Sequence, residues 1–491
     1  MQNHKLFKSL GAAICFVISL AAVYGLAAAS RPATPPTTIQ VNMYKLVEGG
    51  GAPIYVNDTP AACSITDNRD KWGCTAFYQP TNASTPLRAT VVPYPYGSTA
   101  APQISFENDY LKNVVPGEME ASIAPSVALQ AQAIAARSYG WNKSGDLDNS
   151  TNRQLFVPYR FEYLRVEGGD TGHNPTTTPT PNVSNCASIS STGNTHYQRT
   201  VCDAIHATAG EYITASGVST PAFAEFSKDA YLNTNAGGQS YLKAVTDTIS
   251  YDGAIPTIVA QYNAHGHGMS QNGAMRWGHG NASRSGTGAA WSVKWDSPKQ
   301  ILTHYYTGID LRDGSDTVLT PPRRWNWLQQ QGIPDTLSMQ DGAFVTLQIQ
   351  NTGTEAWGNG AYSIWYRWCQ TDGTSCADYA SSADWAPNSP LYSDDPNAIQ
   401  VNPGETIGEA YAYVWPDEAL GTGAKRLVID LCTSLEIGFR KKPEESMAQW
   451  QKRLRQAQKQ FQRQQPQTTW ECFGNQSPQW FTYQKDINIT Q

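Results

Sequence analysis

Tyr110-Leu-Lys-Asn-Val-Val-Pro-Gly-Glu118-Met-Glu120, running on into Ala128-Leu-Gln-Ala-Gln-Ala-Ile-Ala-Ala-Arg137-Ser-Tyr139, carries the strongest helical signal between the N-terminal apolar run and the C-terminal region. Tyr110, Leu111, Val114 and Val115 recur at helical spacing. Pro116-Gly117 predicts the end of that helix, because residues before proline avoid helical geometry. A second helix is expected with Pro125 in its first turn and Val127, Ala131, Ile134 and Ala135 as its apolar stripe. Its many alanines predict a flat, close-fitting packing face. Glu118 falls between the two helices. A carboxylate held there is partly desolvated, so its pKa rises and it can carry a proton near neutral pH. By residue type alone, a glutamate after a helix stop is more often simply exposed, and Glu120 is read that way.

Outward from this pair, short strand-like runs alternate with turns from about Ile39 to Ile104, as in Thr38-Ile39-Gln40-Val41-Asn42 and Ala89-Thr90-Val91-Val92. Residues 167–185 are of low complexity and read as a surface loop. Strands and turns resume to about Arg324, which makes residues 39–324 an α+β domain. Composition shifts near Trp325, and residues 325–491 read as an all-β sandwich with Val345–Ile349 and Leu427–Leu431 as its clearest strands. A charged, Gln-rich helix is expected as an insertion at about 444–464, before a final strand near Trp480–Tyr483. Its basic residues, Lys452, Arg453, Arg455, Lys459 and Arg463, suit a solvated face or contact with anionic polymers.

The 491 residues suffice for two or three domains. Charged residues make up only 15% of the chain and the net charge is −6, a mild balance that gives no electrostatic footprint for nucleic acid. Lys5 and Lys8 precede an uncharged apolar run from Leu10 to Ala29, long enough to span a bilayer. Ala27-Ala28-Ala29 also resembles a cleavage site, so residues 1–30 are either an uncleaved anchor or a removed signal peptide. Both readings place the rest of the chain outside the cytoplasm, beyond a Pro/Thr/Ala-rich linker at 31–38. Eight cysteines outside the apolar run fall into sequence-local pairs, Cys63–Cys74, Cys186–Cys202, Cys369–Cys376 and Cys432–Cys472, an even count that reads as disulfides in an exported chain.

Two further segments carry chemistry. One is Asn235-Ala-Gly-Gly-Gln-Ser-Tyr-Leu-Lys-Ala-Val-Thr-Asp247. The other is His265-Gly-His-Gly-Met-Ser-Gln271-Asn-Gly-Ala, followed by Gln300-Ile-Leu-Thr-His-Tyr-Tyr-Thr-Gly308. His265, His267, Ser270 and Gln271 lie among glycines, which predicts a tight loop rich in hydrogen-bonding groups. Such a loop either contacts sugar hydroxyls or braces the fold. His-Gly-His alone is a weak metal signal.

Taken in order, these segments resemble the SpoIID/LytB family, the sporulation stage II protein D and amidase-enhancer group. The resemblance covers roughly residues 39–310. It implies a peptidoglycan lytic transglycosylase that cuts between N-acetylmuramic acid and N-acetylglucosamine, with Glu118 as general acid and base and no cofactor. Arg137, His265, His267, Ser270 and Gln271 are the substrate-binding residues it implies. The enhancer branch implies a different role, stimulation of a cell-wall amidase without chemistry of its own, and a wall-binding structural protein is a third reading. His267 and Ala264 depart from the family pattern, where a small apolar residue and a glycine are common. Some members bind zinc near the segment matching Cys186 to Gln198. His173, Cys186, His196, Cys202 and His206 are available here, but Tyr197 stands where such members carry a cysteine, and a Cys186–Cys202 disulfide is the simpler expectation. The C-terminal sandwich resembles an immunoglobulin-like domain of the next-to-BRCA1 type, through Asn351-Thr-Gly-Thr-Glu-Ala-Trp357, Pro403-Gly404-Glu405 and Trp480-Phe481. That resemblance implies binding or spacing rather than catalysis.

Overall fold

The two apolar runs around Glu118 form helices: α1 spans Leu111–Glu118 and α2 spans Ser126–Asn142. The computed structural model describes residues 35–41, 44–46, 89–91, 104–145, 147, 153–156, 160–161, 164, 185–229, 233–250, 265–357, 362–381 apart from 374 and 379, 400–434, 470–473 and 482–491. The apolar run before Ala29, the Cys63–Cys74 pair, most of the 167–185 loop with His173, the 444–464 helix and Trp480-Phe481 lie outside the described residues. No helix among the described residues is long and apolar enough to cross a membrane.

Helical backbone begins earlier than the sequence spacing predicts, as a π-helical turn over Phe106–Tyr110 that runs straight into α1. It also ends later. Pro116 does not stop α1, which continues to Glu118 and closes with Met119 N–H donating to the Val115 carbonyl at 2.9 Å. In the last turn a proline removes only the one hydrogen bond it cannot donate, so the helix survives it. Pro125 is the cap residue before α2 rather than its first helical position.

The expected one-sided stripe on α2 is also corrected. Every residue from Val127 to Trp141 except Gln130 is buried. A helix without a polar face must be enclosed, and α2 is packed by α1, by α3 (His196–Ala207), by α4 (Gln271–His279) and by α5 (Pro298–Tyr305). Alanine makes this possible, because short side chains let several elements approach one helix closely.

Short strands surround this bundle. β1 (Thr38–Ile39) pairs with β4 (Ile104–Ser105), and β2 (Tyr44–Leu46) with β3 (Ala89–Val91). β5 (Tyr212–Ala215) packs on α2 and pairs antiparallel with β8 (Ile309–Arg312). β6 (Phe226–Ser227) pairs parallel with β7 (Met269–Ser270), which leads directly into α4.

The C-terminal region forms two sheets. β9 (Trp325–Gln331), β11 (Ala343–Asn351) and β14 (Thr406–Val414) make an antiparallel sheet in the order β14-β11-β9. β10 (Thr336–Ser338), β12 (Tyr362–Gln370), β13 (Ala380–Ser381), β15 (Gly423–Ser434), β16 (Trp470–Cys472) and β17 (Tyr483–Thr490) make the other. Its order is β10-β17-β15-β12-β13 with β16 on β15, and β10 and β17 run parallel. Alternation along β11 and β15 points Val345, Leu347 and Ile349, and Leu427, Ile429 and Leu431, into one core. Disulfides join Cys186–Cys202, Cys369–Cys376 and Cys432–Cys472.

The composition shift at Trp325 is not a break in packing. One buried apolar core runs from α1 to β17. Trp277 of α4 stacks on Trp295 at 3.9 Å, and the Trp295 indole donates to the Trp327 carbonyl in β9 at 3.1 Å. Asn326 donates to the Gln300 carbonyl of α5, and Trp291 to the Leu328 carbonyl, both at 2.8 Å. Arg324 at the junction is fully buried and donates to the carbonyls of Pro321 and Ile309. Burial holds its pKa down at about 10.

Candidate active site

Glu118 is the last residue of α1 and is half-buried. Its Oε1 accepts from the Leu155 backbone N–H at 2.5 Å, and its Oε2 accepts from Gln271 Nε2 at 3.0 Å. Desolvation by the surrounding protein raises its pKa above the usual carboxylate range, and the two hydrogen bonds oppose that rise without cancelling it. The C-terminal end of a helix dipole acts in the same sense as desolvation, against the ionised form.

Each partner is positioned by the fold. Gln154, buried beside Leu155, accepts from the Tyr110 hydroxyl at 2.6 Å and donates to the Ala136 carbonyl of α2 at 3.0 Å. The segment carrying the Leu155 amide is thereby tied to both helices. Nothing in the sequence pattern marks Gln154 or Leu155, because their contribution is a backbone direction set by contacts across 18 and 44 residues of chain.

Gln271 opens α4. Ser270 caps that helix by accepting from Gly273 N–H at 2.9 Å. The preceding turn requires glycine at 268: its φ is +67°, and an added Cβ would lie 1.9 Å from the Glu225 carbonyl oxygen. That carbonyl instead accepts from Met269 N–H at 3.2 Å and from the Tyr306 hydroxyl at 2.7 Å. The loop is thus braced from two sides before it delivers Gln271 to Glu118.

The other expected contacts divide. His265 and His267 lie together on the same loop, rings 4.9 Å apart, with the His267 amide donating to His265 Nδ1 at 2.9 Å. His267 Nδ1 stands 3.4 Å from a Glu225 carboxylate oxygen. Partial burial lowers the His265 pKa, while Glu225 pulls it the other way. Ser270 is buried and serves as the α4 cap. Arg137 is turned inward as well. It is fully buried, its Nε and Nη2 grip the Glu107 carboxylate at 2.6 and 2.8 Å, and its Nη1 donates to the Glu211 carbonyl at 2.9 Å. It orders the start of the helical pair against β5, not the site.

A second buried network stands behind α4. Asp247 accepts from the Trp277 indole at 3.0 Å and from the Tyr305 hydroxyl at 2.7 Å. Burial raises the Tyr305 pKa well above the phenolic range, so the proton stays on its oxygen. Burial also lowers the pKa of His304, whose Nδ1 sits 2.7 Å from Gln350 Oε1 of β11. Gly273 fits against this network only for lack of a side chain, since a Cβ there would approach the Tyr305 oxygen to 2.1 Å.

The candidate zinc residues do not form a ligand set. Cys186 and Cys202 are bonded to each other at 2.01 Å, which leaves no thiolate beside His206. His196 turns its Nδ1 to the Ser191 carbonyl at 3.0 Å. A tetrahedral site needs four free donors, and the candidates among the described residues do not supply them. What the arrangement offers is one carboxyl poised to hold and release a proton, with an amide and a backbone N–H, not a second acid, on its oxygens.

Residues 97–214 match the family model of the stage II sporulation protein, SpoIID. That stretch of the chain is similar to SpoIID. Glu118, α1, α2, Leu155 and Arg137 all fall inside the matched stretch, whereas Gln271 and the histidine loop that complete the site lie beyond it. No curated protein matches the chain.

Proposed function

We propose that this protein acts on peptidoglycan outside the cytoplasmic membrane as a lytic transglycosylase. The observation that supports this reading best is the Glu118 carboxyl, whose pKa is raised by desolvation while Gln271 and the Leu155 amide hold it in place. Protonated Glu118 donates to the oxygen linking N-acetylmuramic acid to N-acetylglucosamine. The bond breaks through an oxocarbenium-like state. Ionised Glu118 then removes the proton of the muramyl C6 hydroxyl, whose oxygen closes on C1 to give a 1,6-anhydro sugar. No water is consumed and no second carboxylate is required. The loop of His265 and His267 borders this chemistry on the substrate side. The N-terminal apolar run serves as anchor or export signal, and the C-terminal sheets form an immunoglobulin-like spacer or binding module.

A second reading is favoured by one specific feature. Both Glu118 oxygens already accept hydrogen bonds from the protein, as they would in a carboxylate kept for structure. On that reading the chain enhances a cell-wall amidase and cuts nothing itself. Purified protein incubated with glycan strands decides between them by product mass. Anhydro products that disappear with Glu118→Gln support the transglycosylase. No cleavage alone, with faster release when an amidase is added, supports the enhancer.

A further inference from the structure

The cleft of roughly 820 Å³ in the C-terminal region belongs to neither Glu118 nor its partners. It opens where the β10–β11 turn, the end of β12 and the segment after β14 converge. Trp415 lies on its wall and is 40% exposed, against the near-complete burial of most of the described tryptophans. Its backbone is held from both sides. The Trp415 N–H donates to the Tyr366 hydroxyl at 3.2 Å, and its carbonyl accepts from the Trp368 indole at 2.5 Å. A large apolar surface left facing a cleft while its backbone is tied down is prepared for a ligand face, not for the core.

The polar lining points the same way. Gln340, Asp378 and Glu418 are exposed at the cleft, and half-buried Arg367 lies among them. Amide, carboxylate and guanidinium groups together supply the planar donors and acceptors that hydroxyl-rich ligands require. Asp378 is carried by a hairpin that the Cys369–Cys376 disulfide closes and that the Ala377 N–H ties to the Trp368 carbonyl at 2.8 Å. Asp417 is committed elsewhere, capping the next turn through Ala419 N–H at 2.8 Å. A rigid mixed lining reduces the ordering penalty on binding.

We infer that this cleft is a glycan-binding subsite, in which a pyranose ring lies against the Trp415 indole while its hydroxyl and acetamido groups bond to Gln340, Asp378 and Glu418. Flat C–H faces of pyranose rings pack on an aromatic face, and their equatorial hydroxyls reach sideways to such a lining. The choice of wall glycan as the occupant rests on the proposed function, and the cleft would hold the strand away from Glu118 during cleavage.

The test uses the full chain carrying Glu118→Gln, to suppress turnover, with peptide-stripped glycan strands as the probe in a sedimentation assay. Adding Trp415→Ala should weaken binding about ten-fold or more, the scale of losing one aromatic anchor, and Trp415→Tyr should restore most of it. Asp378→Ala with Glu418→Ala, at exposed positions that leave the core intact, should weaken binding about three-fold or more, the scale of one lost polar contact. Unchanged binding in either the Trp415→Ala or the paired carboxylate variant overturns the inference. So does a parent chain that retains a cationic peptide but not the glycan. Undiminished cleavage by Glu118→Gln alone is a separate readout: it sinks the catalytic reading while weakened retention by Trp415→Ala still supports the cleft.

Discussion

The α+β region around Glu118 and the two C-terminal sheets balance buried polar groups against apolar packing differently. The first places Arg137, Gln154, Asp247 and His304 in its interior and gives them partners at 2.6 to 3.0 Å. The second fills its interior with Val345, Leu347, Leu427 and Ile429, and turns Gln340, Asp378 and Glu418 outward at a cleft. Buried polar networks cost desolvation but hold specific directions. That is what a single carboxyl needs if its proton affinity is to be set by its surroundings. The sheets rest more on alternating apolar packing, with buried Gln350, Asn351 and Lys425 bonded locally to His304, to the Val401 carbonyl and to Gln370. Where the regions meet, the interface mixes both styles, with Trp277 stacked on Trp295 and the indole N–H groups of Trp291 and Trp295 bonded to β9 carbonyls.

The contrast can be broken at its centre. Glu118→Gln should lower glycan cleavage by ~10²–10⁴-fold, the usual contribution of general acid–base catalysis. Far-ultraviolet circular dichroism should stay unchanged, because glutamine can still accept from Leu155 once the Gln271 amide turns over. The interface is the next target. Trp295→Ala removes the stack on Trp277 and the bond to Trp327, and should destabilise the whole protein by about 3–5 kcal/mol. Calorimetry should show one cooperative transition moving down. A C-terminal transition left at its original temperature would mean that the two regions fold independently.

Replacing Cys186 and Cys202 by serine should cost about 3 kcal/mol, the loop-closure value for a link of this span. The loss should read in urea unfolding, and the parent should be indifferent to a zinc chelator. Unchanged stability on substitution, or a parent destabilised by the chelator, would overturn the disulfide assignment.

The smallest effect concerns pH. The folded pKa of Glu118 is raised, so its protonated form is the one the fold favours. That stability is fully present below the ordinary carboxylate range and is lost as pH rises through the folded pKa. Glu118→Gln, which cannot ionise, should therefore match the parent in acid and exceed its melting temperature near neutrality. The activity of the parent should fall over the same window as the general acid ionises. Gln271→Ala removes a donor to the ionised form, so it should move that fall to higher pH. A shift to lower pH would show that Gln271 does not hold the carboxylate.

Much of this was legible along the chain. The helices flanking Glu118, the three described disulfides, the strands at Val345–Ile349 and Leu427–Leu431 and the glycine-braced loop before Gln271 all rest on local signals: periodicity, parity and turn chemistry. Which way Arg137 and Ser270 face is not legible in residue type: Glu107 and Glu211 hold the arginine, and the Gly273 amide donates to the serine. Pro116 and α2 differ from their local signals for related reasons. A proline is tolerated in a final turn, and a helix rich in alanine can be enclosed on every side.

Local chemistry along the chain places a glutamate at the end of one helix and before another, and lets glycines turn a polar loop into a helix start. Those are properties of neighbouring residues. Folding alone brings Gln271 to Glu118 across 153 residues of chain, sets the Leu155 amide on the other oxygen, and joins the site region to the sheets through the tryptophans after α4. The raised proton affinity of Glu118 is a sum over atoms that share no sequence neighbourhood. It exists only once the chain has folded and water has been displaced from around the carboxyl.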